Sequence, residues 1–156
     1  MTLLGQLGAL LAIVSTGIVY GTDAFCALVL RSALARVDDA MLTATMGNVH
    51  RFADRRMPVP GILGIIAAAA ASVLAAVAGH PGESATAATA FLLLAIWVLL
   101  YLRISAPINR TLTAAADAHE TPASARTLQQ DWDHVIVPRA LLQGLAVLAV
   151  GVSLIS

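Results

Sequence analysis

The residues best suited to chemistry in this chain are a histidine and an aspartate four positions apart, His50 and Asp54. On a helix this spacing puts both side chains on one face, where a carboxylate can orient an imidazole and raise its basicity. A histidine held in this way can act as a general base near neutral pH. The same pair is also typical of a solvated helix face beside Arg51 and Arg55, and the spacing alone leaves both interpretations open.

A tryptophan and an arginine seven positions apart, Trp132 and Arg139, form a second candidate pair. Seven residues make nearly two helical turns, so both side chains share a face if the helix continues through Pro138. Trp132 could stack on an aromatic ligand while Arg139 binds its oxyanion. The alternative is an interfacial aromatic anchor with an arginine that extends toward the headgroups. Asn109, which follows Pro107, could cap a helix or donate to a ligand oxygen.

Asp23 is a candidate because it interrupts a long apolar run. A carboxylate in the middle of a membrane span costs roughly 2.5–3.5 kcal/mol, so it needs a partner or a wet cavity. It could accept a proton or bind a ligand, or it could form an ion pair with Arg103 or Arg139. Arg103 and His134 are further candidates for substrate binding, because they flank the same ends of the apolar runs.

A metal site is an alternative use of the same side chains. Its ligands would be His50, Asp54, Asp23 and His134, and the metal would be iron or copper. The sequence has no HExxH, CxxC, P-loop or GxGxxG motif to support a particular metal or nucleotide. The single cysteine, Cys26, excludes an intrachain disulfide.

The composition indicates how these residues must be positioned. Of the 156 residues, 59% are hydrophobic and only 12% are charged, about half the charged share that is typical of soluble domains. This composition excludes a cytosolic enzyme and favours an integral membrane protein. Nine basic residues balance nine acidic ones, so no net field attracts nucleic acid, and we expect no nucleic-acid partner.

Four apolar stretches come close to or exceed the roughly 20 residues that a membrane-spanning helix needs. They cover about residues 3–30, 57–79, 85–102 and 135–156, within a single transmembrane domain at 1–156. The predicted fold is therefore all-α: an integral membrane four-helix bundle, with an amphipathic helical extension at 37–53 between spans one and two. A polar connection at 107–133 joins spans three and four.

All nine arginines flank the first and third connections, and none lies in the turn between spans two and three. The positive-inside rule then predicts an orientation in the cell (inner) membrane with both termini outside and the polar residues toward the cytoplasm. Helices rich in alanine and glycine leave flat faces on which copies of the chain could associate as a homo-oligomer.

Three segments carry a resemblance to a known family. They are Gly17 to Phe25, Ala106 to Leu112, and the Trp132 and Arg139 pair. Together they resemble the anthrone oxygenase-like family, which consists of small integral membrane proteins first grouped as a domain of unknown function. The resemblance implies four spans and the oxidation of anthrones to anthraquinones in aromatic polyketide biosynthesis, without flavin or haem.

At the level of residues, the resemblance rests on a Pro-x-Asn-x-x-Leu segment at Pro107, Asn109 and Leu112 and on the Trp132-to-Arg139 spacing. It implies roles for Asn109, Trp132 and Arg139. The chain departs from the family pattern at Ile136 and His50, where the family often has asparagine.

The function we expect is that of a membrane oxygenase or oxidase acting on a lipophilic aromatic molecule, such as an anthrone or hydroquinone, with dioxygen as the co-reactant. His50, oriented by Asp54, would remove a proton, Arg139 and Asn109 would stabilise the enolate oxygen, and Trp132 would stack on the ring. The electron-rich enolate can reduce dioxygen directly, so no cofactor is expected. The alternatives are a metal-dependent membrane oxidase and a non-enzymatic membrane subunit that binds lipid or partner helices.

Overall fold

The computed structural model describes residues 3–155, in which helices are the only regular secondary structure and no strand occurs. This confirms the all-α prediction. The chain forms α1 (Leu3–Leu34), α2 (Asp39–Arg56), α3 (Pro58–Val77), α4 (Pro81–Asp117) and α5 (Ala125–Ile155). All of these except α2 are long and apolar enough to cross a membrane.

The predicted spans fall on these four long helices. Span one lies within α1 and span three within α4, while residues 57–79 extend slightly beyond α3 at both ends. Span four lies within α5, except that its predicted end at Ser156 is outside the described residues, as are the first two residues of the predicted domain.

The connection between spans three and four is mostly helical, because both neighbouring helices continue through it. Helix α4 runs to Asp117, where Ile108 and Leu112 are buried together with residues of α2, and α5 begins at Ala125. Helix α4 ends in a reversal at His119, which has a left-handed φ of 56°, and the N–H of Glu120 donates to the carbonyl of Ala115. These are features of a Schellman-type helix end.

Each of the four long helices packs against two of the others: α1 and α4 both contact α3 and α5. Small side chains allow the close approach of these helices. The buried cluster between them consists largely of alanines: Ala9, Ala12, Ala67, Ala68, Ala71, Ala87, Ala90 and Ala146, with Leu94 and Val150.

Helix α2 packs against the second half of α4. Its buried residues recur at helical spacing: Leu42, Thr43, Met46, Gly47 and His50. Asp38 caps its first turn, because the Asp38 Oδ1 accepts from the Met41 N–H at 2.8 Å. The apolar stripe on α2 thus decides that His50 faces inward.

Two π-helical turns interrupt the long helices at the same end of the molecule, at Cys26–Leu30 in α1 and at Tyr101–Ser105 in α4. A π turn inserts an extra residue and shifts the direction of the side chains that follow, and such turns occur frequently at functional sites. One begins three residues after Asp23, and the other begins at Tyr101.

Candidate functional site

A cavity of about 270 Å³ lies where all five helices meet. Six of the eight candidate residues line it: Asp23, His50, Asp54, Asn109, Trp132 and Arg139. Most of the remaining lining is apolar, including Val19, Ile65 and Trp97. The structure therefore brings together polar residues that are up to 116 positions apart in sequence.

Arg139 and Asp23 form a buried ion pair on one wall of the cavity. The Arg139 Nη2 donates to the Asp23 carboxylate, and it lies 2.9 Å from Oδ2. The Gln143 Nε2 donates to the same Oδ2 at 2.6 Å, and the Arg139 Nη1 donates to the Ser105 Oγ at 2.8 Å. Of the two arginines that could have paired with Asp23, the structure selects Arg139, because the continuous helix α5 carries it into the interior.

Asp54 holds two side chains of α4. Its Oδ1 accepts from the Tyr101 hydroxyl and from the Asn109 Nδ2, both at 2.9 Å. Because the carboxylate accepts only, the nitrogen of the Asn109 amide must face it, and the oxygen is left for another partner. Within residues 3–155 no hydrogen bond joins Asp54 to His50, so Asp54 orients Tyr101 and Asn109 instead of the imidazole.

His50 is only 2% exposed, and its ring lies against that of Trp132, with the two ring centroids 5.4 Å apart. Burial, and secondarily the positive charge of Arg139, lower the pKa of His50 to about 3. The imidazole is therefore neutral at physiological pH and can accept or donate a hydrogen bond as a neutral ring.

The cavity concentrates polar atoms whose hydrogen-bonding capacity is unused. Among the described residues, four buried side-chain atoms of the lining have no hydrogen-bond partner: His50 Nε2, Trp132 Nε1, Asn109 Oδ1 and Arg139 Nε. The Trp97 indole interacts with the Asp23 carboxylate. Buried polar groups usually have partners, because each one left without costs about 1–3 kcal/mol. The Trp132 indole N–H and the Arg139 guanidinium N–H donate, the Asn109 oxygen accepts, and a ligand bearing oxygen atoms would satisfy them.

Two of the predicted substrate-binding residues are not brought to this cavity. His134 is exposed and lines a separate shallow groove with Arg31, Ser32 and Gln130. Arg103 is exposed on the outer side of the π turn of α4. Both residues lie on helix faces that point away from the interior. In each turn the buried residue is two positions away: Ser105 for Arg103, and Trp132 for His134.

The metal ligands expected from the sequence are not gathered in one place. His134 lies in the other groove, and Asp23 is paired with Arg139. No group of three or more His, Cys, Asp or Glu side chains arranged to hold a metal ion occurs in residues 3–155. The structure therefore separates His134 from the other three residues expected as ligands, which all line the cavity.

Three residues that complete the polar network, Tyr101, Ser105 and Gln143, are not among the candidates predicted from the sequence. Gln143 had a usable signal: it is polar, lies in an apolar run and follows Arg139 by one helical turn, so an inward orientation was foreseeable. Tyr101 had no such signal, because an aromatic residue near the end of a span is more typical of an interfacial anchor.

Ile136, one of the two departures from the resembled family, does not line the cavity. It is fully buried in an apolar cluster with Met46, Leu112 and Trp132. A search of family models, curated proteins and solved structures finds no match to this chain.

Proposed function

We propose that this protein is a membrane oxygenase that converts a flat, lipid-soluble aromatic ketone of the anthrone type to the corresponding quinone with dioxygen. The observation that carries the proposal is the pair of unpaired N–H donors, Arg139 Nε and Trp132 Nε1, beside a neutral, buried histidine in a largely apolar cavity. The resemblance of the Pro107 to Leu112 segment and of the Trp132 and Arg139 pair to anthrone oxygenases supports the same substrate class.

The membrane arrangement we propose is a four-helix bundle of α1, α3, α4 and α5, with α2 as an amphipathic helix at the membrane surface. The mutual packing of the four helices and the buried stripe of α2 support this arrangement. All nine arginines lie toward the ends of the helices near α2 or in α2 itself, which favours the cytoplasmic side for the site.

The first chemical step is removal of a proton from the methylene carbon beside the aromatic ketone. His50 Nε2 has no other partner and is available to accept that proton. Burial, and secondarily the charge of Arg139, disfavour an imidazolium at this position and lower the pKa of His50. The enolate formed in the same step supplies a negative charge that offsets this repulsion.

The enolate oxygen needs donors that are already in place. The Arg139 Nε–H and the indole N–H of Trp132 are buried and unpaired, so no internal hydrogen bond must break before they bind it. The free oxygen of Asn109 suits a hydroxyl group of the substrate. Asp23 keeps Arg139 fixed, and Asp54 keeps Asn109 fixed.

The second step uses dioxygen as the oxidant. The enolate transfers one electron to dioxygen, and the resulting carbon radical and superoxide join through a new C–O bond. The peroxide anion takes the proton from His50, and loss of the second C–H proton breaks the O–O bond and releases water. One ketone and one dioxygen thus give one quinone and one water.

Oxygen uptake by the protein reconstituted in lipid vesicles tests this proposal, with anthrone as substrate and quinone absorbance as the second readout. We expect one dioxygen consumed per quinone formed, at a rate above that of protein-free vesicles. His50→Asn should lower the rate about 100-fold or more, the usual contribution of a general base. His119→Asn is the matched control, because His119 is exposed in the loop after α4, and it should leave the rate unchanged.

A rate equal to that of protein-free vesicles would overturn the proposal. Equal rates for wild type and His50→Asn would overturn the assignment of His50 as the base. Trp132→Phe provides a second variant that preserves the ring packing against His50, and it should lower the rate by the loss of one oxyanion donor.

A further inference from the structure

The apolar lining residues of the cavity on α3 and α4 differ sharply in exposure from the residues of its polar wall, and we call this apolar, exposed part of the lining the mouth. Ile62 of α3 and Leu102 of α4 line the cavity and are each 56% exposed. Pro58, at the start of α3, also lines it and is exposed. By contrast, His50 and Arg139 are 2% and 6% exposed.

The surface around this mouth is apolar. On α3 the neighbouring exposed residues are Val59 and Ile66, at 62% and 60%, and on α4 Leu99 is 54% exposed. Both helices belong to the four that are long and apolar enough to span a membrane. The charged residues nearest in sequence to the start of α3 are Arg55 and Arg56, which would lie at the level of the lipid headgroups.

We propose that the cavity exchanges its ligand with the bilayer through this lateral mouth between the start of α3 and the π turn of α4. The ligand class that can use this route is a neutral, flat, lipid-soluble molecule with an oxygen at its leading end. An anionic ligand would have to cross the apolar mouth without compensation for its charge. This inference rests on the ligand-binding part of the proposed function and does not depend on the oxidation step.

Cys26 provides a native reporter of access to the cavity. It is the only cysteine in the chain, it lines the cavity, and it is 5% exposed. Reagents that reach its thiol must therefore enter the cavity. Mass spectrometry measures the modified fraction of Cys26 over time, and this measurement requires neither a bound ligand nor catalytic turnover.

The experiment compares two thiol reagents on the full-length protein in phosphatidylcholine vesicles. Benzyl methanethiosulfonate dissolves in the bilayer, whereas its trimethylammonium-ethyl counterpart is charged and stays in water. We expect the benzyl reagent to label Cys26 at least about tenfold faster once each rate is corrected for reaction with a free thiol, which corresponds to about 1.4 kcal/mol in the barrier to entry.

Substitutions at the mouth should change this rate in both directions. Ile62→Phe and Leu102→Phe narrow the mouth and should slow benzyl labelling, while Ile62→Ala widens it and should speed labelling. A folding defect would not produce opposite effects at one position. Ile66→Phe and Leu99→Phe are matched controls, because both residues are similarly exposed on the same two helices but do not line the cavity.

Anthraquinone added to the vesicles should protect Cys26 from the benzyl reagent, whereas its water-soluble 2-sulfonate should not. Equal corrected labelling by the charged and the benzyl reagents would overturn the lateral route, as would mouth variants that behave like their controls. An absence of oxygen uptake in the activity assay would leave these labelling results unaffected, so failure of the oxygenase proposal and failure of this one are distinguishable.

Discussion

Arg139 and Asp23 form an ion pair across α5 and α1 in which both side chains are less than a tenth exposed. The Arg139 Nη2 lies 2.9 Å from the Asp23 Oδ2. The pair uses Nη1 and Nη2 for protein contacts and leaves the Arg139 Nε unpartnered beside the cavity. A fixed cation with one free donor is what an oxyanion site requires.

Removing one member of this pair should destabilise the protein strongly. Asp23→Ala leaves the buried guanidinium without its counter-ion, so we expect the free energy of unfolding to fall by about 3–5 kcal/mol. Replacing both members with apolar residues, Asp23→Leu with Arg139→Met, should restore much of that loss. Unfolding in mixed micelles of increasing denaturing-detergent content measures the difference.

Asp117→Asn is the control for this prediction. Asp117 pairs with Arg51, but both side chains are considerably exposed, so the loss should not exceed about 1 kcal/mol. If Asp23→Ala and Asp117→Asn have equal effects, the Arg139–Asp23 pair does not hold the helices together.

The stability of the protein should depend on pH through His50. The pKa of His50 is about 3 in the folded protein and near 6.5 in the unfolded chain, so between these values the unfolded state binds the additional proton. Stability contributed by the neutral imidazole is complete above pH 6.5 and declines as pH falls from 6.5 toward 3. The slope due to this group is at most about 1.4 kcal/mol per pH unit.

His50→Gln should remove this slope, while the other titrating groups affect wild type and variant alike. The charged groups close to His50 are Arg139 from α5 and the carboxylates of Asp54 and Asp23. The measurement is the difference between the unfolding curves of wild type and variant from pH 7 to pH 4. A constant difference over that range would contradict the assigned pKa.

Gly47 should be required for the contact between α2 and α4. A Cβ at this position would lie 2.6 Å from the Leu112 carbonyl oxygen and would also overlap the Ala116 side chain. Gly47→Ala should therefore lower the free energy of unfolding by about 1–3 kcal/mol and displace His50, one helical turn further along α2.

Gly21→Ala is the matched control, because nothing lies within 4 Å of a Cβ at Gly21 in the described structure. It should be neutral or stabilise the helix by up to about 1 kcal/mol. Thermal unfolding measures both variants, and the fluorescence of Trp132, recorded in a Trp97→Phe background, reports any shift of His50. Equal stability of the two alanine variants would refute the close approach.

Trp132→Phe should discriminate between ligands that have an oxygen and those that do not. The variant keeps the aromatic ring but removes the unpaired indole N–H, so it should weaken anthraquinone binding by about 3- to 10-fold, the value of one hydrogen bond of ~0.5–1.5 kcal/mol. Anthracene has the same flat shape and no oxygen, so its binding should not change. Quenching of the remaining Trp97 fluorescence measures both affinities, and equal losses for the two ligands would exclude the proposed hydrogen bond.

Much of the fold followed from the sequence by itself. Long apolar runs require helices in lipid, because the backbone has no water there to bond with. The predicted all-α class is confirmed, and six of the eight candidate residues lie at one cavity. Asp23 and Arg139 could be identified as interior residues because a charge in an apolar run must find a partner.

Only the tertiary structure decided which partners those residues have. Helical spacing put His50 and Asp54 on one face, but the π turn of α4 brings Tyr101 to Asp54, and Asn109 of the same helix donates to the same carboxylate oxygen. His134 and Arg103 are as polar as the residues of the site, yet their helices turn them outward. Composition and periodicity determine which segments form helices long and apolar enough to cross a membrane. The rotation of each helix about its axis depends on contacts between distant residues, such as Gly47 against Leu112.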